Sequence, residues 1–146
     1  GLYLEGAYAE LVNTTFAGDD AATGGGIYAA NSSSLDLMNS IVYGSPTGVG
    51  VLIGTGSSFS GTYNNVYGNL AGNYSGVTDP TGSSGNISDT PLFVAYSDDG
   101  VPSNDDLHLL SASPSVDAGN PSSAYNDADG TTNDQGAYGG PDSDWD

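Results

Sequence analysis

Residues 25–48 read GGIYAANSSSLDLMNSIVYGSPTG, and this stretch has a counterpart on either side of it. Residues 1–24 and residues 49–72 can be laid over it with apolar residues on apolar residues. Self-similarity at a fixed period of about 20–50 residues is typical of repeat proteins, in which each repeat stacks on its neighbours. The chain is therefore predicted to contain three stacked copies of one structural unit over residues 1–72.

The matched apolar positions alternate along each block, as expected for strands with one buried face. The matched sets are Leu2, Ile27 and Val51; Leu4, Ala29 and Ile53; Ala9, Leu35 and Phe59; Leu11, Leu37 and Gly61; and Phe16, Val42 and Val66. Gly, Asn and Ser separate the alternating runs and favour turns there. Because one coil cannot bury its own apolar face, we predict an all-β solenoid of parallel coils, stacked about 4.8 Å apart.

Asparagines recur at the predicted corners. Asn13 and Asn39 coincide in the overlay, and Asn64 joins them if the third block slips by one residue. Stacked Asn side chains can hydrogen-bond to one another along a solenoid axis. We predict such an Asn ladder; the alternative is that these residues only tolerate turn conformations.

The charge of the chain excludes several classes of partner. There is no Lys and no Arg against 18 acidic residues, which gives a net charge of −18. Proteins bind nucleic acid through Lys and Arg at the phosphates, and anionic membranes attract basic segments, so neither partner is expected. No run of about 20 apolar residues is present, so membrane insertion is not expected. The lack of Cys excludes disulfides and thiolate metal sites.

The repeat fades after Gly72. Residues 73–146 are rich in turn-forming residues and hold only short apolar clusters. We predict one structural body in which residues 1–72 form three coils of about 24 residues. Residues 73–146 are predicted to form an irregular, loop-rich C-terminal region that packs on the solenoid or caps it.

Four ordered motifs in this region resemble those of a known family. They are Asn-Ile-Ser-Asp-Thr-Pro-Leu-Phe-Val at 86–94, Leu-His-Leu at 107–109, Ser-Pro-Ser-Val-Asp-Ala-Gly-Asn-Pro at 113–121 and Asp-Gln-Gly-Ala-Tyr at 134–138. They resemble the carboxy-terminal end of secreted, pectate-lyase-like β-helix surface proteins, and residues 63–69 resemble the last coil of that family. The resemblance implies a right-handed parallel β-helix at an extracellular or cell-surface location. The family usually has Asp where this chain has Thr90.

The resemblance does not imply one reaction, because this superfamily includes lyases, glycoside hydrolases, adhesins and other surface proteins. Its lyases use a basic residue, and this chain has no Lys or Arg. His108 lies between Leu107 and Leu109 in a strand pattern and is interpreted as structural. Glycoside hydrolysis needs two carboxylates about 5–10 Å apart, which an Asp-rich chain supplies by chance. A non-catalytic protein is therefore predicted.

An Asp-rich run at 127–134 suggests a cation site. Its carboxylate and amide oxygens are the ligands that Ca²⁺ prefers, although the run lacks the first and twelfth ligands of an EF-hand. The hypothesis is a non-helical Ca²⁺ site, formed by Asp127, Asp129 and Asn133 or Asp134, that pins the tail to the solenoid. The alternative is a solvated turn.

Aromatic side chains suggest a second kind of ligand. Ten Tyr residues and Trp145 offer surfaces on which sugars stack. Tyr3 and Tyr28 fall between inward-facing positions and are predicted to point outward. β-propensity alone accounts for Tyr on an outer face, and carbohydrate adhesion is the alternative.

The start of the repeat suggests the function. Gly1 lies directly inside the first coil, so a mature product or a piece of a longer solenoid is expected. An open coil has unpaired strand edges, which pair with other strands. The predicted function is a non-catalytic extracellular structural protein that self-assembles head-to-tail into a filament or surface layer, with Ca²⁺ between acidic copies. The alternatives are upstream coils of a longer parent, or a terminal fragment of a polysaccharide-binding, adhesive or glycoside-hydrolysing β-helix protein.

Overall fold

A computed structural model describes residues 1–143 as a parallel β-helix, and the all-β prediction is confirmed. Coil 1 contains β1 (Leu2–Glu5), β2 (Tyr8–Val12) and β3 (Thr15–Ala17); coil 2 contains β4 (Ile27–Ala30), β5 (Ser34–Met38) and β6 (Ile41–Tyr43); coil 3 contains β7 (Val51–Ile53), β8 (Ser58–Thr62) and β9 (Asn65–Tyr67). Each coil therefore turns three corners. The described residues contain no helix long and apolar enough to cross a bilayer.

The three strands of a coil belong to three parallel sheets. Sheet A runs β1-β4-β7, sheet B runs β2-β5-β8 and sheet C runs β3-β6-β9. Ile27 pairs with Leu2 on one side and Val51 on the other, and Val42 likewise lies between Phe16 and Val66. The apolar overlay of the three blocks is thus the strand register.

The inward side chains of coil 2 form the centre of the core. Ile27 and Leu35 are 0% exposed and Val42 is 1% exposed. Full burial of an aliphatic side chain of this size stabilises a fold by about 2 kcal/mol. Since the chain has no Lys or Arg, its stability rests on this packing and on the hydrogen bonds between coils.

Side-chain oxygens join the coils at corner 2, between sheets B and C. The N–H of Thr14 donates to Ser40 Oγ at 3.1 Å, the N–H of Ser40 donates to Asn64 Oδ1 at 3.0 Å, and the N–H of Asn64 donates to Asn86 Oδ1 at 3.1 Å. We call this series the corner ladder. Each of its bonds runs from the backbone of one coil to a side chain of the next coil.

The predicted Asn ladder forms only in part. Asn13 and Asn39 coincide in the register, and Asn39 Nδ2 donates to Asn13 Oδ1 at 3.5 Å. The one-residue slip that would bring Asn64 into this set does not occur, because the register continues unchanged and Tyr63 takes the equivalent position. Asn13, Asn39 and Tyr63 share positive φ angles of 50°, 52° and 56°, so each coil bends at the same place. Asn64 lies one residue later and bonds to Ser40.

A partial fourth coil covers the far end of the stack. β10 (Tyr74–Ser75) extends sheet A, and an isolated bridge between Asn65 and Ile87 extends sheet C. Residues 76–85 cross the end of sheet B as an irregular loop. Asn86 Nδ2 donates to Gly61 O of β8 at 2.8 Å, which satisfies part of that strand's outer edge.

An antiparallel hairpin follows the fourth coil. It consists of β11 (Phe93–Ala95) and β12 (Asp106–Leu109). The hairpin packs on the outer side of sheet C, where the ring of Phe93 lies 5.8 Å from the ring of Tyr43. The C-terminal region therefore covers one side of the solenoid as well as its end.

The tail, residues 110–143, then runs along corner 2 from coil 3 back to coil 1. Its contacts with successive coils are Asn65 Nδ2 to Ser115 Oγ at 2.9 Å, Asn120 N–H to Asn39 Oδ1 at 2.9 Å, and Ala137 N–H to Thr15 Oγ1 at 2.9 Å. A Cβ at Gly136, whose φ is +102°, would lie 2.8 Å from both Thr15 Oγ1 and Ile41 Cδ1. Glycine at this position lets the tail approach the corner closely.

Candidate functional site

The predicted calcium ligands lie in residues 127–140 of the tail, which we call the tail loop. Carboxylates of this loop accept hydrogen bonds from its own backbone. Asp127 accepts the backbone N–H of Asp134 at 3.0 Å and that of Gly140 at 2.5 Å. Asp129 accepts both the N–H and the hydroxyl of Thr131, at 2.9 and 2.6 Å. Charge-assisted bonds of this kind hold a loop together without a metal ion.

Asn133 lies apart from these carboxylates. It is fully buried, and its Nδ2 donates to Asn13 Oδ1 at 3.2 Å and to Tyr125 O at 2.7 Å. Asn133 therefore pins the tail to coil 1 directly. Among residues 1–143, no group of three or more acidic, His or Cys side chains is placed so that it could hold a metal ion. The Ca²⁺ site at Asp127, Asp129 and Asn133 or Asp134 stays a prediction.

An open hollow of about 580 Å³ lies beside this loop. Its lining includes Asp117, Asp127, Asp129, Asp134 and Tyr138. Burial raises the pKa of Asp134 to about 6, and the nearby charge of Asp127 adds to the rise. Hydrogen bonds from Thr131 lower the pKa of Asp129. Two carboxyl groups whose pKa values move in opposite directions meet one requirement of acid–base chemistry.

His108 joins the hairpin to the tail. Its Nδ1 lies 2.6 Å from Asp106 Oδ1, and its ring stacks on Tyr138 with centroids 3.7 Å apart. These contacts fit the interpretation of His108 as a structural residue, which stays a prediction.

Tyr3 and Tyr28 lie side by side on the outer face of sheet A. Their ring centroids are 5.4 Å apart, the rings are tilted by 55°, and Tyr3 is 55% exposed. A tilted pair offers a narrower platform for a sugar than two coplanar rings would. Trp145 lies outside the described residues.

A larger aromatic cluster was not predicted from the sequence. Tyr43 and Tyr67 stack in register on the outer face of sheet C, and Phe93 and Tyr96 pack against Tyr43. The coincidence of Tyr43 and Tyr67 in the overlay was the available signal. The cluster is covered by the hairpin, so it attaches the C-terminal region to the solenoid.

Coil 1 ends the stack with three strand edges to which no other strand pairs among residues 1–143. Ser34 N–H donates to Ala7 O at 2.8 Å and Asn13 N–H donates to Met38 O at 3.1 Å, so residues 7, 9, 11 and 13 form the bonds to β5. The backbone groups of the intervening residues face away from β5. By the same alternation, the residues of coil 1 whose backbone groups face the open side are Tyr3, Glu5, Tyr8, Glu10, Val12, Thr15 and Ala17.

The apolar cross-section of coil 1 is open as well. Leu11 and Phe16 are partly exposed, whereas their partners in coil 2, Leu37 and Val42, are each 1% exposed. The same repeat positions therefore lie at the surface in coil 1 and in the core in coil 2. An apolar surface bounded by unpaired edges is suited to further strand pairing.

No protein-family model, curated protein or solved structure matches this chain. The resemblance to secreted β-helix proteins rests on the four motifs and on residues 63–69.

Proposed function

We propose that this chain is a non-catalytic extracellular structural element, the covered end of a β-solenoid whose further coils join it at coil 1. The supporting observation is the difference between the two ends of the coil stack. Within the part of the chain that the structure describes, coil 1 presents three unpaired edges and part of the apolar core, whereas residues 73–87 lie over coil 3. A terminal repeat covers the core of an array on its outer side and joins its neighbour on the inner side.

A head-to-tail filament of identical copies is less well supported. It requires coil 1 of one copy to meet the fourth coil of the next. That fourth coil has only the two-residue strand β10 in sheet A, and its corner N–H, from Asn86, is already bonded to Ser83 O at 2.9 Å. The net charge of −18 also opposes contact between copies. Coils of a longer solenoid therefore fit the open edge better than a second copy does.

Electron microscopy and sedimentation of the purified chain, in Ca²⁺ and then in a chelator, test this proposal. We expect dispersed monomers under both conditions. Filaments would overturn the proposal in favour of head-to-tail assembly, and their loss on chelation would place metal at the joints.

Calorimetric titration with Ca²⁺ tests the loop hypothesis separately. Binding at millimolar Ca²⁺ that is lost in Asp129→Asn but kept in Asp79→Asn would support a site at Asp127, Asp129 and Asp134. The Asp79 control also removes one exposed carboxylate and lies in the fourth-coil loop. No heat in the unmodified chain would remove the hypothesis.

Glycoside hydrolysis is a second candidate, favoured by the hollow beside the tail loop. A carboxyl group that is protonated near neutral pH and an ionised neighbour are the pair this reaction requires, and Asp134 and Asp129 have pKa shifts in those directions. The test is release of reducing sugars from polysaccharides. We expect none; release that Asp134→Asn abolishes would replace the structural proposal with a catalytic one.

A further inference from the structure

The corner ladder has a direction that limits what can join coil 1. At corner 2, each bond runs from the N–H of one coil to a side-chain oxygen of the next. Corner 1, between sheets A and B, has the same direction: the N–H of Ala7 donates to Ser33 Oγ at 3.3 Å, and the N–H of Ser33 donates to Ser57 Oγ at 3.1 Å. A coil that continues the ladder beyond coil 1 must therefore bring a free corner N–H.

Thr14 is oriented to accept such an N–H. Its Oγ1 donates to Val12 O at 3.3 Å, just as Ser40 Oγ donates to Met38 O at 2.8 Å. Ser40 Oγ in addition accepts the N–H of the preceding coil. Within residues 1–143, no N–H donates to Thr14 Oγ1, so its acceptor position is free. Corner 1 has no equivalent group, because Ala7 carries no oxygen in its side chain.

We propose that coil 1 binds a parallel β-solenoid coil in register, and that Thr14 accepts the corner N–H of that coil. This inference rests on the proposed function and names the partner that the open edge fits. The unpaired edges belong to three sheets and face the same end of the stack. A single extended peptide would satisfy one of them, whereas a parallel coil satisfies all three.

Coil 1 of a second copy, docked face to face, has no free corner N–H to donate to Thr14. Its Thr14 N–H is already bonded to Ser40 Oγ and points into its own stack. Face-to-face docking would also bring the exposed carboxylates of Glu5 and Glu10 close to those of the other copy. Like charges opposite one another across a strand pair are destabilising.

A copy of residues 26–49 placed directly before Gly1 keeps the 24-residue spacing between Ile27 and Val51 and provides a test within one chain. The equivalent of Ser40 in this added coil carries the same N–H that in coil 2 donates to Asn64 Oδ1. We expect the extended chain to be monomeric and its melting temperature to rise by about 5 °C or more, since a further coil buries the apolar face of coil 1. The amide hydrogens of Tyr8 and Glu10 should become protected from exchange.

Two controls isolate the docking. An extension of equal length in which the equivalents of Ile27, Leu35, Leu37 and Val42 are replaced by Asp has lost the large apolar residues that coil 2 contributes to the core, and it should leave the melting temperature unchanged. Thr14→Val should lower the melting temperature of the extended chain by about 3 °C, and that of the original chain by less than about 1 °C. Thr14→Ser should restore the hydrogen bond.

Free exchange of the Tyr8 amide in the extended chain would overturn the proposed docking. Equal effects of Thr14→Val in the two chains would overturn the role of Thr14. Neither result depends on the assembly of the unextended chain, which electron microscopy tests. Failure of the end-piece function and failure of coil docking are therefore distinguishable.

Discussion

The two ends of the coil stack are built from one repeat and finished differently. At the far end, Asn64 and Asn86 are 0% and 1% exposed, and an irregular loop crosses sheet B. At the near end, Tyr8 is 62% exposed and, among the described strands, each strand of coil 1 lies at the edge of its sheet. The difference shows that a solenoid is ended by leaving the repeat, since a regular coil always exposes a surface on which another coil can stack.

Proline substitution should distinguish the paired edge of β2 from its open edge most strongly, because the N–H groups of β2 alternate between bonded and free. Ala9→Pro removes a bond to β5 and should lower the free energy of unfolding by about 3 kcal/mol. Tyr8→Pro removes only a free N–H and should cost less than about 1 kcal/mol, with Tyr8→Ala as the side-chain control. Urea denaturation measures both losses in the free energy of unfolding. Equal losses would show that the outer edge of β2, opposite β5, is also paired.

The corner ladder offers a comparison of the two ends at equivalent positions. Asn86→Ala leaves the N–H of Asn64 and the carbonyl of Gly61 without their partners in a buried corner. This substitution should lower the free energy of unfolding by about 3 kcal/mol. Thr14→Val, at the same corner of coil 1, should cost less than about 0.5 kcal/mol. A larger loss at Thr14 than at Asn86 in urea denaturation would contradict the assignment of the open and covered ends.

The tail makes the stability of coil 1 dependent on pH. The pKa of Asp134 is about 6 in the folded chain against an ordinary 3.8, so protonation favours folding. This contribution is fully present below pH 3.8 and is lost as the pH rises through about 6. Because the side chain is half-buried, solvent screening reduces the effect to about 1 kcal/mol.

The Asp134→Asn variant tests whether this pH dependence comes from Asp134. Its stability relative to the unmodified chain should increase between pH 4 and pH 7, measured by urea denaturation at each pH. Asp98→Asn, which removes an exposed carboxylate outside the tail loop, should not show this trend. A constant difference between the chain and Asp134→Asn would mean that Asp134 is not held in the tail loop as described.

The solenoid was predictable from the sequence because its register is local and repetitive. Matched apolar residues such as Leu35 and Phe59 follow from a period of 24 residues, and the strand pairs reproduce them. The sequence left the position of Asn64 open, because a possible one-residue slip in the asparagines competed with the apolar register. The buried apolar pairs outweigh a corner hydrogen bond, so the register stays continuous.

The tail could not be predicted in the same way. Asn13 and Asn133 are 120 residues apart in the chain, and no period relates them. Asn133 therefore looked like a member of the Asp-rich run, whereas its side chain is buried against coil 1. The direction of the corner ladder likewise depends on which side-chain oxygen faces which backbone N–H, and the positions of Ser40 and Asn64 in the sequence do not contain this information.

Amide hydrogen exchange in coil 1 can show whether the outer edge of its strands is open. If the edge is open, protection should alternate along β2, with Ala9 and Leu11 exchanging slowly and Tyr8 and Glu10 exchanging rapidly. The matched strand β5, which is paired on both sides, should show slow exchange at successive residues. Slow exchange of Tyr8 and Glu10 in the unextended chain would contradict an open coil 1, because their N–H groups would then be bonded to another strand.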